Sequence, residues 1–139
     1  MSTATWIAFG CNLVAVLLTL GVGITYVTRK EFMPFHCVAL GRAWSELEPP
    51  LRTVLLALIK GIGGYGLALA LAQLIILLIP FRHGAVWALW AVPVVGLVLC
   101  SFSFYALTLL TKGTSANPPY VVPLSAGFLY LAGLCVAFL

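Results

Sequence analysis

The sequence predicts an all-α integral membrane protein: a bundle of four transmembrane helices with a short interfacial helix between the first and the second. Hydrophobic residues make up 63% of the 139 residues, charged residues make up 7%, and the mean hydropathy is +1.18. A soluble domain carries about 25% charged residues, so water could not solvate such a surface. The apolar residues also fall into four long runs, with most of the charged residues between them.

Each run has the length of a membrane span. The runs comprise 23, 27, 26 and 20 residues, and a helix needs about 20 residues to cross about 30 Å of hydrocarbon. The alternation of apolar and polar residues that marks a transmembrane barrel strand is absent. We therefore predict one membrane domain, residues 1–139, with helices at residues 5–27, 53–79, 85–110 and 120–139.

The first run reads as a retained span and not as a cleavable signal peptide, because no basic residue precedes it and Arg29 and Lys30 follow it. The connection after it, residues 28–52, is long for a helical bundle. Pro34 can open a helix there, and Pro49 with Pro50 must end one. With Trp44 at the headgroup level, a short interfacial cytoplasmic helix fits; a solvated irregular loop is the alternative.

The remaining connections are a tight turn at residues 80–84 and a polar segment at residues 111–120. Basic residues in the connections lie mostly at one end of the predicted helices. Five lie at one end, namely Arg29, Lys30, Arg42, Arg52 and Lys112, and Arg82 lies at the other. Basic residues of short loops stay on the cytoplasmic side, so we predict that both termini lie outside. No basic run with interleaved aromatic residues indicates a nucleic-acid partner.

Several short patterns follow one another along most of the chain. They are "FMPFH" with W-x-x-L and a proline after it, a helix that carries lysine and glycine, "PFR", and T-x-A-x-P-P before the last span. In this the chain resembles small bacterial four-helix integral membrane proteins to which no function is attached. The resemblance implies a bacterial inner membrane and carries no activity.

The residues that usually carry chemistry are scattered. Cys11, Cys37, Cys100 and Cys135 form no C-x-x-C motif. Cys11 and Cys135 are predicted near the outer membrane face, where they either form a disulfide or remain single thiols that pack as small apolar residues. The two histidines, at positions 36 and 83, are predicted a membrane thickness apart, so they cannot share a metal. No predicted span contains a carboxylate. We expect no metal and no cofactor.

Lys60 lies inside the second predicted span, where a cation costs about 2.5–3.5 kcal/mol at the bilayer centre. It either extends its amine back to the cytoplasmic headgroups or faces a polar ligand within the bundle. Gly63 and Gly64 lie three and four residues on, on the same helix face. Counting inward from the predicted helix ends places hydroxyl groups of other helices near this depth. The predicted ligand-binding residues are Lys60, Gly63, Gly64, Thr19, Ser101, Ser103, Tyr105 and Tyr130.

Asn12 and Gln73 are predicted at equal depth in the other half of the membrane. An amide hydrogen bond between them would join the first two spans as a structural polar pair, worth about 0.6 kcal/mol on average in membranes.

The first function hypothesis is a non-enzymatic protein that binds a membrane lipid or other amphiphile in the pocket at Lys60, as an accessory subunit of a membrane complex or alone. The second is a small transporter that works as a homodimer, with Lys60 lining the pathway. The third is an enzyme that uses His36, Glu46 or Glu48 at the cytoplasmic surface.

Overall fold

The computed structural model describes residues 2–139, and these residues form helices and connections without a strand. Five α-helices follow one another, some of them extended by short 3-10 or π-helical turns. They are α1 (Thr3–Thr28), α2 (Pro34–Leu40), α3 (Pro49–Ile76), α4 (Val86–Gly113) and α5 (Val121–Ala137). The all-helical prediction is confirmed.

Three of these helices are long and apolar enough to cross a membrane. They are α1, α3 together with the π-helical turn Leu77–Phe81, and α4, with 26, 33 and 28 residues. The fourth predicted span is present as the shorter apolar helix α5, which has 17 residues. Length and apolar composition thus fit an integral membrane protein.

Local sequence sets the ends of these helices. Ser2 accepts a hydrogen bond from the Thr5 amide (3.1 Å) and so caps α1. Pro49 and Pro50 open α3 at its first positions, where a missing N–H costs nothing. We expected Pro49 to end a helix in the preceding connection, but Pro49 is the first residue of α3, so this prediction was wrong.

The connection after α1 contains two short helical pieces instead of one helix. The first, α2, ends at Gly41, whose φ of 64° is left-handed and favours glycine. A 3-10 turn at Trp44–Glu46 follows. Two residues of this connection, Phe32 and Leu47, are buried against Ile59 of α3. The connection therefore packs onto the start of α3.

The long helices pack in the order α3, α1, α5, α4. Helix α1 lies against both α3 and α5, and α5 lies against α4, whereas α3 and α4 contact one another little along their lengths. The two are joined by the turn after α3, where Leu77 and Phe81 are buried against Ala8 and Ala88. We call this end of the helices the turn end. The other, which carries five of the basic residues, is the basic end.

Candidate functional site

Lys60 caps the C-terminal end of α1. Its ammonium donates hydrogen bonds to the carbonyl oxygens of Val27 (2.7 Å) and Arg29 (3.2 Å). The last carbonyls of a helix have no partner within the helix, and they form the negative end of its dipole. The side chain therefore extends toward the basic end and binds α3 to α1. This geometry accounts for a lysine in an apolar run without any ligand.

The two glycines after Lys60 have different surroundings. A Cβ at Gly63 would lie 2.8 Å from Tyr26 Cβ and from the backbone nitrogen of Val27, so only glycine allows α1 to approach this closely. Nothing lies within 4 Å of a Cβ at Gly64, which is exposed. Gly63 thus serves helix packing, and only Gly64 lies on an open face.

A buried polar cluster joins α3, α4 and α5 in the half of the structure toward the turn end. The Tyr130 hydroxyl donates to Gln73 Oε1 (3.0 Å), and Gln73 Nε2 donates to the Val92 carbonyl (2.9 Å). The tyrosine ring lies against Gly96, where a Cβ would overlap it. Thr19 of α1 adjoins the same hydroxyl. Two of the predicted site residues, Thr19 and Tyr130, are therefore brought together, but around Gln73.

Lys60 does not belong to that cluster. Gln73 lies 13 residues along α3 from Lys60, which is about 20 Å at about 1.5 Å per residue. The Ser101 hydroxyl donates to Leu97 O of its own helix (2.8 Å) and Tyr105 is exposed. Ser103 is half-buried on the same helix.

The predicted residues therefore do not surround the Lys60 amine as one pocket. Helix α3 begins four residues before the predicted start, so Lys60 lies further along its helix than the count assumed. The lysine stem, moreover, extends away from the membrane centre.

The predicted hydrogen bond between Asn12 and Gln73 is not formed, although α1 and α3 do pack against one another. Asn12 Nδ2 donates to Ala8 O of its own helix (2.8 Å), and its amide lies against Gly133 of α5. Within residues 2–139 its Oδ1 has no hydrogen-bond partner. Depth was a poor guide here, because the Gln73 amide is bonded to Tyr130 and to the Val92 carbonyl, whereas Asn12 is bonded within its own helix.

Two of the three side chains of the enzyme hypothesis act as caps in the structure, whereas Glu48 precedes α3 without a side-chain cap hydrogen bond. His36 Nδ1 accepts a hydrogen bond from the Met33 amide (3.3 Å), and Glu46 accepts one from the Ala43 amide (2.9 Å). Burial of the imidazole lowers the pKa of His36 below its usual value. All four cysteines are free thiols. Nowhere in residues 2–139 do three His, Cys, Asp or Glu side chains cluster as metal ligands would.

The feature that the sequence reasoning missed is a recess on the exposed face of α3. It has a volume of about 430 Å³. Its lining consists of Val54, Ala57, Leu58, Gly61, Ile62 and Tyr65. We call it the α3 recess. Small residues at positions 57 and 61 leave it open between larger side chains, and this spacing of four was the available signal.

The α3 recess and two cationic residues belong to the same stretch of α3. Lys60 directly precedes Gly61, and Arg52 lies two residues before Val54. Arg52 donates to the carbonyl of Leu47 (2.8 Å), and this neutral acceptor does not cancel the positive charge of the guanidinium. An apolar recess next to positive charge is the arrangement that suits an anionic amphiphile.

Comparisons of the chain with family models, with curated proteins and with solved structures found no match.

Proposed function

We propose that the chain is a non-enzymatic, four-span integral membrane protein that binds an anionic lipid on the outer face of α3. The observation that carries this proposal is the α3 recess beside Lys60. An acyl chain would lie along the recess and the headgroup would lie near Arg52, at the basic end.

The fourth span of this proposal is α5. Its 17 residues give about 25 Å of helix at about 1.5 Å per residue, a few ångströms less than the usual hydrocarbon thickness. Membranes accommodate such a mismatch by local thinning at modest cost. Helix α5 packs against α1 and α4, which are long and apolar enough to span, and this packing supports its placement across the same membrane.

The proposed orientation places the basic end in the cytoplasm and both termini outside, and the resemblance to bacterial proteins favours an inner membrane. The charge asymmetry of the connections supports this. Cysteine labelling at Ser2 and at Ser115 in a cysteine-free background tests it. We expect only Ser2→Cys to react with an impermeant reagent from outside, and equal reaction at Ser115→Cys would contradict the orientation.

Three features support a lipid in the α3 recess. The lining side chains are apolar apart from the Tyr65 hydroxyl, the recess opens sideways because one helix supplies all of it, and the adjacent cations attract the anionic cytoplasmic leaflet. The Lys60 ammonium uses two of its three donors on α1. The third is available to a headgroup oxygen.

A second copy of the chain is the alternative occupant, because small residues on an exposed helix face also allow helices to associate. Ala57, Gly61 and Gly64 provide such a face. A dimer formed there would favour the transporter hypothesis over lipid binding.

Native mass spectrometry from mild detergent separates these outcomes. Gly61→Leu fills the recess, and Gly21→Leu on α1 is the matched control, since a Cβ at either glycine meets nothing within 4 Å. We expect an anionic lipid bound to the wild type and to Gly21→Leu but lost from Gly61→Leu. Equal lipid content in all three, or a dimer that Gly61→Leu dissociates, would contradict the proposal.

A further inference from the structure

The turn between α3 and α4 is held by several backbone hydrogen bonds. The amides of His83, Gly84 and Ala85 donate to the carbonyls of residues 79, 81 and 80, at 3.2, 3.0 and 2.9 Å. Gly84 has a φ of 75°, which favours glycine. Phe81 is buried, with its ring 6.0 Å from that of Phe9. The two polar residues of the turn, Arg82 and His83, therefore project from a fixed backbone.

The imidazole of His83 has a defined orientation. Its Nδ1 lies 2.7 Å from the carbonyl oxygen of Ile79. A carbonyl oxygen can only accept, so Nδ1 carries the hydrogen and donates it. The other nitrogen, Nε2, has no part in this hydrogen bond, and the side chain is exposed. When the ring is protonated, Nε2 becomes a second donor in a fixed position.

A cavity of about 280 Å³ opens beside these two residues. It is lined by Thr5, Arg82, His83, Gly84 and Leu89. The three acidic side chains of the protein all belong to residues 31–48, at the other end of the helices. No acidic side chain therefore lies at the turn end to neutralise the Arg82 guanidinium, and the cavity places this cation beside the imidazole of His83.

Aromatic residues place the cavity at the level of lipid headgroups. Trp6 and Trp87, both about half exposed, lie near the same end on α1 and α4. Indole rings collect at the membrane interface. The anion most abundant at that level is phosphate, and a guanidinium can pair with two phosphate oxygens at once.

We propose that this cavity, which we call the turn-end pocket, binds a phosphate oxyanion between the Arg82 guanidinium and His83 Nε2. Thr5, whose hydroxyl lies 2.8 Å from that of Ser2, also lines the pocket. The phosphate belongs either to a lipid headgroup or to a free anion. The proposal does not depend on lipid binding in the α3 recess, because the two sites lie at opposite ends of the helices.

The test uses the fact that the chain has two histidines, at positions 36 and 83. The full-length protein, labelled in its histidine rings and held in a phosphate-free maltoside detergent, is titrated with inorganic phosphate or with dihexanoyl phosphatidylglycerol. We expect the His83 ring signals to shift saturably. Arg82→Gln removes a charged hydrogen-bond donor, and this loss should raise the dissociation constant for phosphate at least about tenfold. Lys112→Gln, an exposed cation at the other end, is the control.

A second variant is read by calorimetry. His83→Asn keeps a donor near the Ile79 carbonyl but removes Nε2, so the turn should remain folded while phosphate binding weakens. A response to inorganic phosphate supports a free anion as the source, and a response to the lipid alone supports a headgroup. If neither probe shifts the His83 signals, or if Arg82→Gln and His83→Asn bind as tightly as the wild type, the proposal is overturned.

Discussion

Replacing Lys60 by methionine should destabilise the protein, even though the change removes a charge from an apolar helix. The substitution keeps an apolar side chain of similar length but deletes both hydrogen bonds to the end of α1, at 2.7 and 3.2 Å. It also removes the cation from the negative end of the α1 dipole. Both losses act on the contact between α1 and α3.

The expected size follows from these contacts. A hydrogen bond from a charged donor contributes about 1.5–3 kcal/mol, and a cation at a helix C-terminus contributes about 0.3–1 kcal/mol. Lys60 is exposed, so screening and competing solvent reduce both, and we expect a net loss of about 1–2 kcal/mol in the free energy of unfolding. The cost of burying an ammonium does not offset this, because the amine reaches the level of Arg29.

Unfolding in mixed detergent micelles, followed by circular dichroism, measures the effect. Lys112→Met removes an exposed cation from the same end and should change the free energy of unfolding little. Lys60→Arg should restore part of the stability, because a guanidinium can donate to the same carbonyls. If Lys60→Met is as stable as the wild type or more stable, Lys60 is only a lysine that extends to the headgroups, and the capping argument is wrong.

Three further predictions concern packing, the buried cluster and pH. Gly63→Ala should destabilise the protein by about 1–3 kcal/mol, because its Cβ would meet the backbone of α1. Gly64 lies on open helix surface, so Gly64→Ala should be neutral or stabilising by up to about 1 kcal/mol in the same unfolding assay. Tyr130→Phe leaves the side-chain oxygen of Gln73 without its donor and should cost about 0.5–2 kcal/mol, so an unchanged free energy of unfolding would contradict the hydrogen bond. The lowered pKa of His36 means that the folded state binds fewer protons than the unfolded state. The contribution of the neutral imidazole to the free energy of unfolding is therefore present above about pH 6.5 and is lost as the pH falls below that value. If His36→Gln leaves the pH dependence of stability unchanged between neutral and mildly acidic pH, that result would count against this prediction.

Much of the fold follows from hydropathy alone. The predicted span at residues 5–27 is observed at Thr3–Thr28, and that at residues 85–110 is observed at Val86–Gly113. Prediction works here because a long apolar run leaves no alternative to a helix in a membrane. The start of α3 was missed because proline can either end a helix or open one, and the sequence around Pro49 does not distinguish the two.

The candidate site was less predictable than the fold. Depth along a helix can be counted, but the direction in which a side chain points depends on how the helices are arranged around one another. Gln73 faces Tyr130 and the Val92 carbonyl instead of Asn12, and Lys60 faces the end of α1. Hydroxyls such as that of Ser101 are satisfied within their own helix, so their presence at one level does not indicate a pocket.

Photo-crosslinking from the α3 recess tests the proposed lipid site most directly. A photoreactive amino acid at Leu58, which lines the recess, is compared with one at Ile24, a similarly exposed residue of α1, in membranes that contain a minor fraction of an anionic lipid. The proposal predicts that position 58 captures the anionic lipid well above its share of the membrane, that position 24 captures it in proportion to that share, and that Lys60→Met reduces the enrichment at position 58. Capture in proportion to membrane composition at both positions would contradict the proposal.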